Sequence, residues 1–409
     1  MNKYQRAIQK ITYLGFFLVA AFAVKSFQDA VPDQIYVKIG EEVSYDFNVP
    51  VSVVLKNDSA EVFESLTAIS AAPGESCPSY IVTCRLFGLF PVKDVEVMLV
   101  QPESVYASGM PIGIYAKTNG VLIIGTGVVP DETGIERKPA ENLVRSGDYI
   151  VSVNGEEVSE KEELADKINE YGGEKEVLGI LRNDEYIEVS LNPVKSSGGS
   201  YMLGIWVRDD LAGVGTLTYY RDDRTYGALG HAVSDGDTGT LMNMSEGSVY
   251  HTNIIGIRKG EKGSPGELSG VIEYSSERRI GSITENTPLG IRGVLDGNLD
   301  NLEPGISYEI CYKQDIKTGP AYIISSVSGE TKQYEITIES LDYSGVEENK
   351  GILFRVTDEE LLALTGGIVQ GMSGSPIIQD GKLIGAVTHV FVSDASMGYG
   401  IFIEKMLGD

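Results

Sequence analysis

The chain has 409 residues, enough for two or three domains, and carries 33 Lys+Arg against 59 Asp+Glu, a formal charge of −26. That balance excludes a nucleic-acid binder, which needs a basic stripe to neutralise phosphates, while 42% hydrophobic residues exclude a disordered acidic chain. Three His and three Cys nearly exclude a zinc framework, so neither a metal nor another cofactor is expected.

Lys3, Arg6 and Lys10 precede an apolar run from Ile11 to Val24, closed by Lys25. Basic flanks around a short apolar run at the extreme N-terminus read as an export signal over residues 1–25, either removed or kept as a membrane anchor. The rest of the chain is then expected outside the cytoplasm. Cys77 and Cys84, if the stretch between them is extended, lie about 23 Å apart, beyond the roughly 4.4–6.8 Å a disulfide spans. Pairing would need a turn at Pro78-Ser79, and Cys311 is left over either way. Free, partly buried thiols are expected.

Glycine, at 48 residues, is in excess, and short Val/Ile runs between the glycines predict a mainly β, α+β fold. Residues 32–108 alternate like a small β region with no catalytic constellation. Residues 109–195 carry a more specific pattern. Val121 to Gly125 is a buried strand, and Gly147 to Gly155 ends in an Asn-Gly hairpin turn. Ser159 and Glu162 form a capping box. The helix that follows presents Leu164, Ile168 and Tyr171 on one face. Strands 178–181 and 186–191 pair across Asn183-Asp184. This order resembles a PDZ domain, which implies a peptide groove between the helix face of Leu164 and Ile168 and a carboxylate-binding loop at Ile112-Gly113-Ile114. Lys195 to Ser200 reads as a flexible linker, and the Gly-punctuated strands of 200–409 predict a barrel or pair of barrels.

The sharpest motif is Gly371-Met372-Ser373-Gly374-Ser375-Pro376. A nucleophilic serine needs a tight turn that exposes its hydroxyl and turns backbone N–H groups toward a developing oxyanion; Gly371 and Gly374 permit one, with the N–H groups of Gly371 and Ser373 as candidate donors. The phrase is similar to that of trypsin-like peptidases and differs from the α/β-hydrolase elbow. A serine needs a base. His231 lies in a glycine-bordered turn, whereas His389 sits inside an apolar strand and reads as a packing residue; His251 has no supporting context. The order His231 then Ser373 is that of trypsin-like enzymes. Spacing does not choose the acid: Asp235 and Asp237 are close to His231, and Asp358 could equally cap a helix starting at Glu359.

Taken together, Cys84 to Lys93, the PDZ-like core, Leu203 to Asp209, Gly213 to Thr218, the His231 turn and Gly367 to Pro376 resemble the stage IV sporulation protein B (SpoIVB) family. That resemblance implies a serine endopeptidase with the triad His231, Asp358 and Ser373. It also implies export into the forespore intermembrane space, self-cleavage, and a protein substrate, a membrane-bound regulator of an intramembrane metalloprotease, leading to late sigma factor activation. The alternative is a PDZ-containing extracytoplasmic binding protein with an inactive barrel.

Overall fold

The computed structural model describes residues 3–38, 51–55, 79–86, 88–300, 302 and 304–408. Its first element, α1 (Lys3–Ala30), carries its apolar side chains outward; Phe16 and Phe22 are each about three-quarters exposed. Over Lys10–Asp29 the helix is long and apolar enough to cross a membrane, with a mean hydropathy of 1.5. Four strands follow as a sheet, β1 (Gln34–Lys38), β2 (Val51–Leu55), β3 (Ser79–Leu86) and β4 (Phe90–Val100), in the order β1-β4-β3-β2. Cys84 is buried in its core and free, and Cys311 is buried and free elsewhere. Burial pushes both thiols up, to about 11 and about 12, so neither is a thiolate at neutral pH. Cys77 lies outside the described residues.

The strand β5 (Ser104–Ala107) leads into β6 (Pro111–Thr126), whose sixteen residues serve two units. It pairs with β10 (Ile205–Tyr220) from Pro111 opposite Thr216 to Thr126 opposite Ile205, with the register shifting at Arg208/Asp210 and Trp206/Val207. Inserted at the far end of this pair lies a small unit of β7 (Tyr149–Val153), α2 (Lys161–Glu170), β8 (Glu176–Arg182) and β9 (Glu185–Leu191), around Val121, Ile123, Ile150, Leu164, Ile168, Leu178 and Ile180. The hairpin turns fall where the sequence puts them, with Asn154-Gly155 and Asn183-Asp184 all at positive φ. The helix start is corrected. α2 is capped from outside, the Lys161 N–H donating to the Asp209 carboxylate at 2.9 Å, while Glu163 accepts from the Ser159 N–H. The expected linker is instead a tight hairpin: Val194–Lys195 pairs with Tyr201–Met202, and the Ser196 N–H donates to the Ser200 carbonyl.

The near halves of β6 and β10 belong to a closed barrel. β10 pairs with β11 (Thr225–Ala228), β11 with β15 (Gly290–Val294), β15 with β14 (Arg279–Thr287), β14 with β12 (Met244–Arg258), and β12 returns to β6. Six antiparallel strands thus leave no open edge, around Ile112, Ile114, Leu217, Tyr226, Val249 and Ile291. An outer hairpin adds β13 (Glu267–Ile272), and β16 (Ile306–Ile310) bridges onward. A second ring of six is formed by β17 (Gly319–Ser325), β18 (Lys332–Leu341), β19 (Ile352–Val356), β20 (Pro376–Gln379), β21 (Lys382–Phe391) and β22 (Asp394–Phe402). Its order is β17-β18-β19-β22-β21-β20-β17. Ile323, Ile336, Phe354, Ile377 and Val387 fill it. The short helices α3 (Glu359–Thr365) and α4 (Ile403–Leu407) lie outside the rings.

This corrects the expected start of the 109–195 unit. Residue 109 is no domain break, because the first barrel takes one of its six strands from Pro111 to Thr118. The expected loop at Ile112-Gly113-Ile114 is buried mid-strand, paired to β10 on one edge and β12 on the other, so it has no free N–H row to offer a ligand.

Candidate active site

The turn 371–374 projects between the two barrels, and it is built by its glycines. Gly371 has φ +98° and Gly374 φ +96°, where an L side chain is strained. A Cβ on Gly374 would stand 2.2 Å from the Thr216 carbonyl oxygen. Met372, fully buried, anchors the turn from below. Strand β21 of the second barrel holds one side: the Gly374 N–H donates to the Val387 carbonyl at 2.7 Å and the Val387 N–H to the Ser375 carbonyl at 2.9 Å. Strand β10 of the first barrel holds the other. Thr216 donates its N–H to the Ser373 carbonyl at 3.0 Å and its hydroxyl to the Gly371 carbonyl at 2.9 Å. The N–H groups of Gly371 and Ser373 donate to nothing among the described residues, the state expected of oxyanion donors before substrate arrives.

The Ser373 hydroxyl donates to the Thr388 carbonyl at 2.8 Å. It opens on a cleft of about 700 Å³ that His231, Ala232, Asn349, Gln370, Thr388 and His389 help to line. His231 follows β11, where Leu229 (φ +71°) and Gly230 (φ +70°) reverse the chain and send the imidazole into the cleft. Its Nδ1 lies 2.9 Å from the Ala232 carbonyl. A carbonyl can only accept, so Nδ1 carries the proton and Nε2 keeps the free lone pair that a general base needs. Burial lowers the His231 pKa and so favours the neutral ring, the form that can accept a proton.

Over residues 199–407 the sequence matches the family model for SpoIVB peptidase S55. The chain belongs to that family. No curated protein matches it. Among solved structures, an HtrA-type protease, AlgW, with a decapeptide is similar at 13% identity and a TM-score of 0.30, covering 74% of this chain and 63% of that one, less than two thirds of its length.

In this SpoIVB-family peptidase the structure brings Ser373, His231 and the two N–H groups to one cleft, and it places Asp358 elsewhere. Asp358 is the N-cap of α3: one carboxylate oxygen accepts from the Leu361 N–H at 2.9 Å and the other from the Glu335 N–H at 3.3 Å. A seven-residue helix needs such a cap, and the strand β19 ends at Val356, just before it. The Asp358→Ala variant is therefore expected to lose about 1 kcal/mol of stability, read as a lowered Tm, while Asp358→Asn, which caps nearly as well, should stay close to wild type. Asp235 and Asp237, the carboxylates nearest His231 in sequence, are both engaged by Arg208. His251 lies in β12 opposite Ile112 and does not line the cleft.

The reading of His389 as a packing residue is corrected. Its ring lines the cleft and meets His231 with centroids 5.5 Å apart and planes tilted by 44°. Strand alternation is broken at this point, because the register of β21 against β22 shifts between Val387 and His389. A bulge of this kind is not legible in an apolar run such as Ala386-Val387-Thr388-His389-Val390.

Proposed function

We propose that this SpoIVB-family peptidase is a serine endopeptidase in which Ser373 is the nucleophile and His231 the general base and then acid, with Gly371 and Ser373 N–H groups receiving the oxyanion. The reading rests on one observation above the others: a hydroxyl and a neutral imidazole share one cleft with two backbone donors left unused. In the first step Ser373 Oγ adds to the scissile carbonyl carbon as its proton passes to His231 Nε2. Collapse of the tetrahedral intermediate returns that proton to the leaving amine, and water then releases the acyl group by the same route. The Ala232 carbonyl is the group that holds the imidazole in the required tautomer in this arrangement. Asp358, the expected acid of the triad, is proposed on the family resemblance alone, since its carboxylate caps α3 in this structure.

As the family resemblance implies, the substrates we propose are the chain itself and a membrane-bound regulator of an intramembrane protease, met in the forespore intermembrane space. α1 would bring the enzyme to the membrane. Expressed wild type should show shorter species that Ser373→Ala lacks, trimmed between the export signal and the PDZ-like unit. Identical fragment patterns from both would sink self-cleavage. Residues 39–50 and 56–78 of that stretch lie outside the described residues.

For peptide recognition the inserted unit supports a relocated groove. Residues Ile205–Arg208 of β10 pair with β6 on one edge only, and α2 lies along the other, tied there by Lys161 to Asp209 and by the Tyr201 N–H to the Asn169 side chain at 2.9 Å. An extended peptide could add to this open edge beside α2, whose Leu164 and Ile168 face the unit's own core. A peptide bound there should slow hydrogen exchange at 205–208. Exchange left unchanged at those amides while the protein substrate is still bound would remove the groove.

A further inference from the structure

Two consecutive residues of β21 contact both members of the reacting pair. The bulge between Val387 and His389 takes Thr388 out of the ladder, so its carbonyl is free to accept from Ser373 Oγ, and the next side chain, His389, lies against His231. The bulge is pinned in turn. The Thr388 hydroxyl donates to the Asn349 carbonyl at 2.7 Å, with the Tyr399 carbonyl 3.2 Å away as a second acceptor in range. The Ser373 hydroxyl donates to the Thr388 carbonyl and to neither imidazole, and it is His231 whose protonated Nδ1 leaves Nε2 as the free acceptor. The His389 Nδ1 has no hydrogen-bond partner among the described residues.

We propose that His389 is a positioning residue for the peptidase reaction: its neutral ring seats the His231 imidazole against the Ala232 carbonyl, so that Nε2 is held toward Ser373. The proposal rests on Ser373 and His231 being the reacting pair. It assigns the ring contact the fixing role, since the imidazole has a single backbone acceptor and the aromatic pair lies within the usual ~4.5–7 Å contact range. It also requires that His389 stay uncharged, because His231 becomes an imidazolium when it accepts the serine proton and a second cation beside it would oppose that step. The surroundings hold it so. His389 is driven down to about 4 by burial, by His231 and by Lys350, with Glu347 opposing. Lys350 is itself paired with Glu347 at 2.9 Å and lies over the ring of Tyr399, the residue opposite His389 in β22. Among the described residues lining the cleft no other ionisable side chain faces the pair.

The test compares His389→Ala with His389→Phe in the full chain, with active sites counted by a serine-reactive probe so that misfolded protein is excluded. Displacing a catalytic group by about 1 Å can cost on the order of 10²-fold. For His389→Ala, kcat per titrated site is therefore expected to fall roughly 10- to 100-fold with KM nearly unchanged, and the acid limb of kcat/KM should move to higher pH as water reaches His231. His389→Phe keeps the ring wall and should retain most of kcat, with the limb left low. A role in stability alone would lower Tm and the fraction of titratable sites while leaving kcat per site and the limb in place, and that outcome overturns the proposal. A Ser373→Ala protein that still turned over would instead overturn the reacting pair, so the two failures are distinguishable.

Discussion

Ser373→Ala is expected to lower peptide turnover by several orders of magnitude, on the order of 10⁴-fold or more, because removing one member of such a unit leaves only binding and oxyanion stabilisation. The fold should survive. The hydroxyl makes one hydrogen bond, to the Thr388 carbonyl, and its loss costs about 1 kcal/mol. The turn itself is held by the backbone bonds of Gly374, Ser375 and Thr216, none of which needs the side chain. Circular dichroism melts of the variant should therefore lie within a few degrees of wild type while activity is lost. Near-wild-type turnover would remove Ser373 as the nucleophile. The wild-type pH profile carries a second check. A base must be unprotonated to act, and burial holds His231 below the usual histidine value of 6.5. Activity should accordingly persist to pH values lower than an ordinary histidine would allow.

The proposed pair Ser373 and His231 stands out in the sequence because each sits in a glycine-bordered turn. Positive-φ positions at Gly371, Gly374 and Gly230 leave a signature in the sequence that a strand residue does not. The mainly β architecture and the Asn-Gly and Asn-Asp hairpins were legible for the same local reason. What could not be read depends on partners distant in sequence. Ile112-Gly113-Ile114 looks like a loop phrase until Val214 and Tyr250 are seen to flank Gly113 on either side. The cap of α2 is an aspartate 48 residues downstream of Lys161, beyond any local capping rule. Asp358 shows the converse. The local alternative, a helix cap, describes where its carboxylate goes, while the expected role came from resemblance alone.

Glu176 should make this protein's stability fall as pH rises from about 4.5 to about 7. It opens β8 opposite Leu191 in the inserted unit, is fully buried, and has no hydrogen-bond partner for either carboxylate oxygen among the described residues. Burial alone raises its pKa from 4.5 to about 7. The sign follows from linkage. Below pH 4.5 the carboxyl is protonated both folded and unfolded, and it costs nothing that depends on pH. Between 4.5 and about 7 the unfolded chain releases the proton while the folded one keeps it, so the penalty on folding grows with pH. Above 7 both forms are ionised and the penalty is constant. A difference of this size corresponds to roughly 3 kcal/mol. In Glu176→Gln the buried amide carries its own cost, but that cost does not titrate. The measurement is therefore the gap between variant and wild-type unfolding free energies at pH 8 and at pH 4.5, by urea denaturation. The gap should shift in the variant's favour by about 2–3 kcal/mol between the two pH values. A gap that stays flat would mean that Glu176 finds a charge partner or solvent when ionised, and that the inserted unit contains no such proton-linked strain.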